Sequence, residues 1–138
     1  MDLLPGCIRQ AAVIPVRGGR VCLVLSSSGK RWVVPKGCIE QGQAPGETAL
    51  QEAWEEAGLT GVLWRKPAGS YVYKKNGRPH HVTVFVMHVT GAGDVWPESG
   101  RRRRCWLQPT QALARIEHTG LRLLMRRVLA AEGVTAAG

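Results

Sequence analysis

The sequence predicts an α/β (α+β) domain built on a mixed β-sheet. Three observations point there. Runs rich in Val, Ile and Leu, of strand length, are interleaved with segments of helical periodicity, and Gly and Pro punctuate the joints. The 138 residues are 44% hydrophobic and 21% charged, ordinary values for a chain that buries its own core. One domain over residues 1–138 is the expectation at this length.

Taken in order, Arg9 to Val16 and Arg20 to Ser27 read as strands joined at Arg17-Gly18-Gly19, a hairpin with a glycine-containing turn. Trp32 to Val34 reads as a short strand stopped by Pro35. Pro35 to Gly46, with Gly37, Gly42 and Pro45, reads as a loop. A helix follows over Pro45 to Ala57: proline suits a first turn, Glu47 lies where the helix dipole favours negative charge, and Gly58 stands where a left-handed cap is wanted. Val62 to Tyr73 is strand-like and Lys74-Lys75-Asn76-Gly77 turns the chain. His81 to Val89 alternates Val82, Val84, Val86 and His88 against Thr83, Phe85 and Met87, as a strand buried on both faces would. Arg102 to Leu107 is a further short strand. Gln111 to Ile116 and Leu121 to Ala131 are helical, the second with Leu121, Leu124, Met125 and Val128 at helical spacing, and Gly133 to Gly138 reads as a frayed end.

Composition narrows the function classes. Met1 to Val16 lacks the basic start, apolar core and small-residue cleavage site of a signal peptide. No uncharged apolar run approaches the roughly 18–20 residues that cross a bilayer, so the expectation is a soluble, cytoplasmic protein with no membrane partner. Cys7, Cys22, Cys38 and Cys105 form no C-x-x-C pair and read as free thiols. Net charge is +9, yet Glu40, Glu47, Glu52, Glu55 and Glu56 fall within Gly37 to Leu59, a window without Lys or Arg; outside it stand 19 basic and five acidic residues. A basic surround about an acidic helix suits a metal site that draws in a polyanion, with nucleic acid as the rival partner.

On that helix Glu52, Glu55 and Glu56 stand three and four apart and share one side. Like charges so placed cost a few tenths of a kcal/mol per pair unless a cation sits among them. A hard divalent ion fits, because magnesium takes oxygen ligands and is usually held by one or two carboxylates together with substrate phosphates. The plain alternative is a solvated acidic face.

The segment from Gly37 through Glu52, Glu55, Glu56, Gly58 and Leu59 resembles a Nudix box: glycine, five residues, glutamate, seven residues, then R-E-U-x-E-E-x-G-U, where U is bulky and apolar. Those six positions match in register over residues 37–59. Three depart: Gln43 replaces the first glutamate, Gln51 the arginine and Ala53 the bulky apolar residue. The two glutamines can still pair as amides, which makes the change an altered brace between loop and helix.

The resemblance implies a Nudix-type α/β/α sandwich with a loop-helix-loop catalytic motif, and metal-dependent hydrolysis of a phosphoanhydride bond. It implies Glu52, Glu56 and the backbone carbonyl of Lys36 as metal ligands, Mg²⁺ or Mn²⁺ as cofactor, and Glu55 as proton acceptor for the attacking water. Glu98 is a weaker candidate for that role. Arg31 to Gly37 and Arg102 to Leu107 are most similar to diphosphoinositol-polyphosphate and diadenosine-polyphosphate hydrolases, which implies a small-molecule polyphosphate substrate, phosphate contacts at Arg9, Ser27, Lys30, Lys36 and Arg78, and a pocket histidine at His118, with Thr119 where that group has lysine. A monomer or homodimer is expected. The runners-up are an RNA 5′ pyrophosphohydrolase and a non-catalytic polyphosphate-binding module on the same scaffold.

Elsewhere the plain readings lead. Alternation should turn two of Arg101 to Arg104 outward, Lys74 and Lys75 read as an exposed hairpin tip, and His80 and His81 as strand-edge residues. The scattered tryptophans, Trp32, Trp54, Trp64, Trp96 and Trp106, read as packing rather than a stacking platform.

Overall fold

A computed structural model describes residues 6–132, which leaves the expectation for Gly133 to Gly138 outside the described residues. Eight strands and three helices follow in chain order: β1 (Ile8–Arg17), β2 (Arg20–Leu25), β3 (Trp32–Val33), β4 (Lys36–Cys38), α1 (Pro45–Ala57), β5 (Leu59–Leu63), β6 (Gly69–Lys75), β7 (Arg78–Ala92), β8 (Arg104–Leu107), α2 (Pro109–Arg115) and α3 (Thr119–Ala131).

The strands form one mixed sheet in which β1 and β7 run parallel at the centre, from Ile8↔His80 to Val16↔His88. β2 joins β1 antiparallel only at Val16↔Val21 and Arg17↔Arg20. Pro15, with no N–H to give, sits where that ladder stops. β2 then pairs with β3 and β8, while β5 and β6 both pair with β7.

Alternation on the central strands sorts the core into two layers. Ala11, Val13, Phe85 and Met87 pack toward α1 through its Ala49, Ala53 and Ala57. Ala12, Ile14, Val16, Val82, Val84 and Val86 pack on the other side against Ile116, Leu121, Leu124, Met125 and Val128. The sheet is therefore sandwiched between helices, and β7 is buried on both faces as its sequence indicates. The departure at Ala53 has a packing reason: alanines at four-residue spacing let α1 lie close against β1.

The helix over Pro45 to Ala57 is found at the predicted bounds, closed by Gly58 at φ 67° and ψ 28°. Two strand expectations need correction. Lys36–Cys38 is a strand paired with β1, not loop; three residues are too few to show a period. Val62 to Tyr73 is two strands split around residues 64–68, where Pro67 interrupts. Among the described residues no helix is long and apolar enough to cross a membrane.

Candidate active site

β4 places the first parts of the site. Its bonded partners across β1 are set by Val13 N–H to the Pro35 carbonyl, 3.1 Å, and Ile39 N–H to the Arg9 carbonyl, 2.9 Å. The alternation of an antiparallel ladder then turns the main chain of Lys36 away from β1. Its N–H donates to Glu56 Oε1 at 3.4 Å, so the Lys36 carbonyl faces the same side. Next along the strand, Gly37 makes room for a carboxylate: a Cβ there would stand 2.4 Å from Glu52 Cδ.

Glu52 and Glu56 are neighbours one helical turn apart, each acting on the other's ionisation. Burial pushes Glu56 up to about 8, opposed by the Arg102 guanidinium and reinforced by Glu52. Burial likewise raises Glu52, while the neighbouring Glu56 carboxyl works the other way. Two hard oxygen donors one helical turn apart, Glu52 against Gly37 and Glu56 against the Lys36 N–H, beside an outward main-chain carbonyl, fit a divalent cation of the magnesium class.

Glu55 is held elsewhere. Thr48 Oγ1 donates to Gln43 Oε1 at 2.6 Å, Gln43 Nε2 to Gln51 Oε1 at 2.7 Å, and Gln51 Nε2 to Glu55 Oε1 at 2.9 Å. The two glutamines form the expected amide pair, and the chain of donors ends on the Glu55 carboxylate. The Glu55 charge still acts on Glu52, and among the described residues no group of three or more His, Cys, Asp or Glu side chains converges as a metal cluster.

Residues 93–104 seal the end of α1. Glu98 N–H bonds the Glu55 carbonyl at 3.0 Å, Trp96 Nε1 the Glu56 carbonyl at 3.0 Å, and Arg104 Nη1 the Ala57 carbonyl at 2.8 Å. Arg104 also lies 4.4 Å over the Trp96 ring, and that ring fills the space a Cβ on Gly58 would need. Arg102 donates to the Leu25 carbonyl at 2.8 Å and to Glu98 Oε1 at 2.6 Å, and reaches Glu56 Oε2 at 3.7 Å. The alternation of the arginine run is as predicted: Arg101 and Arg103 are exposed, Arg102 and Arg104 turn inward. What they grip was not readable, because the carbonyls they satisfy belong to a distant helix and strand.

The opposite face of the sheet carries a cleft of about 510 Å³ between β3, β6 and the joint of α2 with α3. Its lining includes Arg31, Trp32, Lys36, Tyr71, Tyr73, Lys74, Lys75, Arg115, Glu117 and His118. Lys36 belongs to both sites: its main chain meets Glu56, and its ammonium lies 5.4 Å over the Tyr73 ring, where burial lowers its pKa and Glu56 partly restores it. His118 lines the cleft with both nitrogens engaged, Nδ1 accepting from Leu121 N–H at 3.3 Å and Nε2 bonding the Val72 carbonyl at 3.1 Å. Trp32 lines the cleft, while Trp54 stands on the surface at 40% exposure rather than in packing.

Of the expected phosphate contacts, Lys36 lines the cleft. Arg9, Ser27, Lys30 and Arg78 are exposed outside its lining, Arg9 on β1, Ser27 and Lys30 in the turn after β2, and Arg78 bonded to the Gly6 carbonyl at 3.3 Å. Arg31 was quoted in the Arg31 to Gly37 resemblance without a role of its own, and the sequence reading gave Arg115, Tyr71 and Tyr73 no part in a site. The one available signal was odd-numbered alternation in Tyr71, Tyr73 and Lys75, which puts all three on one face.

A family model described as NUDIX domain matches residues 8–129. Human diphosphoinositol polyphosphate phosphohydrolase 3-alpha is 37% identical over 116 residues, covering 78% of this chain and 68% of the relative. Arabidopsis thaliana Nudix hydrolase 21, chloroplastic, is 33% identical over 110 residues, covering 76% of this chain and 55% of the relative, so the chain spans about half of that protein's length. The fold is shared with the Ap4A hydrolase of C. elegans, at TM-score 0.74 and 19% identity over 91% of this chain and 98% of that one. It is shared too with a NUDIX family hydrolase of Clostridium perfringens, at TM-score 0.73 and 20% identity over 90% and 97%.

Proposed function

The chain belongs to the Nudix family, and on that premise we propose that it hydrolyses a phosphoanhydride bond in a phosphate-dense small molecule, a diphosphoinositol polyphosphate or a dinucleoside polyphosphate, with Mg²⁺ or Mn²⁺ as cofactor. The observation that carries the reading is the carboxylate pair, Glu52 against Gly37 and the buried Glu56 on the outward main chain of Lys36, the residue whose side chain lines a cation-rich cleft on the other face of the sheet.

Glu52, Glu56 and the Lys36 carbonyl would hold the metal. When bound, it supplies neutralisation of phosphate charge and a more acidic water. Glu55 accepts the proton of the attacking water: it is partly exposed, oriented by Gln51, and outside the carboxylate pair. Glu98 is engaged by Arg102 at 2.6 Å and Arg101 at 3.7 Å, and its role is to fix Arg102 beside Glu56. Lys36, with its lowered pKa, joins Arg31, Lys74, Lys75 and Arg115 in binding phosphates away from the scissile bond, where fixed cations raise local ligand concentration. Arg9, Ser27, Lys30 and Arg78 serve outlying phosphates of an extended ligand.

The test is phosphate release with Mg²⁺ and with Mn²⁺ from a diphosphoinositol polyphosphate, diadenosine polyphosphates, nucleoside diphosphate sugars and 5′-triphosphorylated RNA. Turnover of the first two classes is expected. Turnover confined to RNA, or none with any substrate, would overturn the reading.

A further inference from the structure

One acid stands among the cations of the cleft. Its charged lining is Arg31, Lys36, Lys74, Lys75 and Arg115 against Glu117 alone. Glu117 sits in the short joint between α2 and α3, and its Oε1 lies 3.8 Å from Nη1 of Arg31, which precedes β3. The two side chains are 59% and 67% exposed, so the pair adds little to stability. Nor does the joint depend on the carboxylate: Arg122 holds its main chain, with Nη2 at 2.8 Å from the Ile116 carbonyl and 3.3 Å from the Glu117 carbonyl. An acid that the fold does not require, placed on a cation of a binding cleft, changes what the cleft binds.

We propose that Glu117 is a specificity-determining residue, a resident counter-anion that occupies Arg31 and penalises ligands in proportion to their negative charge. This rests on the reading of the cleft as the substrate surface. A ligand whose phosphates reach Arg31 must displace the carboxylate and then lie beside it. The resulting repulsion grows with the number of ligand charges within a Debye length, roughly 30 Å at 0.01 M salt and 10 Å at 0.1 M. Charge set against a competing ligand is an ordinary means of discrimination. Here it runs between the two candidate substrate classes: inositol polyphosphates crowd many phosphates on one ring, whereas dinucleoside polyphosphates carry fewer, strung between two bases. Glu117 shifts the preference toward the second class.

The experiment titrates inositol hexakisphosphate and adenosine 5′-monophosphate calorimetrically into the wild-type protein, Glu117→Gln, and Glu117→Gln combined with Arg31→Gln. The change at Glu117 is isosteric and exposed, so folding is not at stake. At low salt Glu117→Gln should tighten the hexakisphosphate about tenfold and the monophosphate about twofold or less, with the gap closing near 0.5 M salt. Adding Arg31→Gln should remove most of the gain. Equal factors for both ligands, or no gain, would overturn the proposal while leaving the cleft as a binding surface. Failure of both ligands to bind the wild-type protein and Glu117→Gln alike would overturn the cleft reading and the proposal together.

Discussion

The α1 face of the sheet and the face under α2 and α3 share the same strands, yet the first gathers Glu52, Glu55 and Glu56 and the second Arg31, Lys36, Lys74, Lys75 and Arg115. Two consecutive residues of β4 show how. Gly37 gives its face to the Glu52 carboxyl, and Lys36 sends its ammonium to the other side over Tyr73. The acids come from two turns of one helix, whereas the cations come from the entry to β3, β4, the β6 hairpin and α2. On the proposed function the difference predicts a division of labour: changes on the α1 face should act on kcat and metal affinity, and changes in the cleft on KM.

The largest effect is expected at Glu56. On the proposed function Glu56→Gln removes a charge from the metal site and should lower kcat on the order of 10² or more, several kcal/mol of transition-state stabilisation, with the fold retained. Near-normal kcat at saturating Mg²⁺ would take Glu56 out of the metal site. Gly37→Ala comes next. The added methyl meets the mobile end of Glu52, not backbone, so the carboxylate moves and the fold stays. Metal affinity should fall about 10–100-fold, the usual cost of losing a group that orients a ligand, with little change in Tm. A large loss of Tm with metal affinity intact would show that Gly37 serves folding instead.

In the cleft, Arg115→Gln should raise KM for a polyphosphate substrate about three- to tenfold and leave kcat within about twofold, as expected of an interaction made equally in the ground and transition states. A fall in kcat with unchanged KM would break the division between the two faces.

Stability should respond to pH through the acidic face. Glu56 titrates at about 8 in the fold against 4.5 in an unfolded chain, so between these values the folded state binds more protons than the unfolded one. Metal-free stability is therefore highest below about pH 4.5 as far as Glu56 is concerned and declines through pH 8, by a few kcal/mol at most. Magnesium requires the ionised pair, so the Tm gain on adding it should grow from about pH 6 to pH 8. Thermal melts with chelator and with Mg²⁺ measure both slopes, and a gain that shrinks with rising pH would contradict the upward shift of Glu56.

The same contrast explains what was legible in the sequence. Pro45, Glu47 and Gly58 bound α1 by local rules, and the carboxylate spacing along it is local too. Nothing local showed that Glu55 receives a hydrogen bond from Gln51; that depends on Gln43, the partner across the loop that decides which way the Gln51 amide faces. The cleft was unreadable for a stronger reason: Arg31 and Arg115 are 84 positions apart and line one cleft only through the topology that lays α2 beside β2 and β8. Lys74 and Lys75, read as a solvated hairpin tip, do lie on the β6 hairpin, but that hairpin forms one wall of the cleft.

The smallest expected effect tests the brace on the α1 side. Gln43 spends its carbonyl oxygen on Thr48 and its amide on Gln51, and Gln51 passes its own amide to Glu55. Gln43→Glu alone sets two oxygens face to face; Gln51 must turn its amide toward position 43 to relieve them, and Glu55 loses its donor. Gln51→Arg alone is milder, because the guanidinium can still reach Glu55, though it faces the Gln43 amide donor to donor. The double change replaces both conflicts with an ion pair whose remaining N–H groups serve Glu55. Contacting residues typically couple by about 0.5–3 kcal/mol, and the exposure of this pair argues for the lower end. A double-mutant cycle in Tm and kcat/KM should therefore show Gln43→Glu as the worse single change and the double variant better than the sum of the two. Simple additivity would mean that the amide chain does not hold in solution, and Glu55 would then owe its orientation to α1 alone.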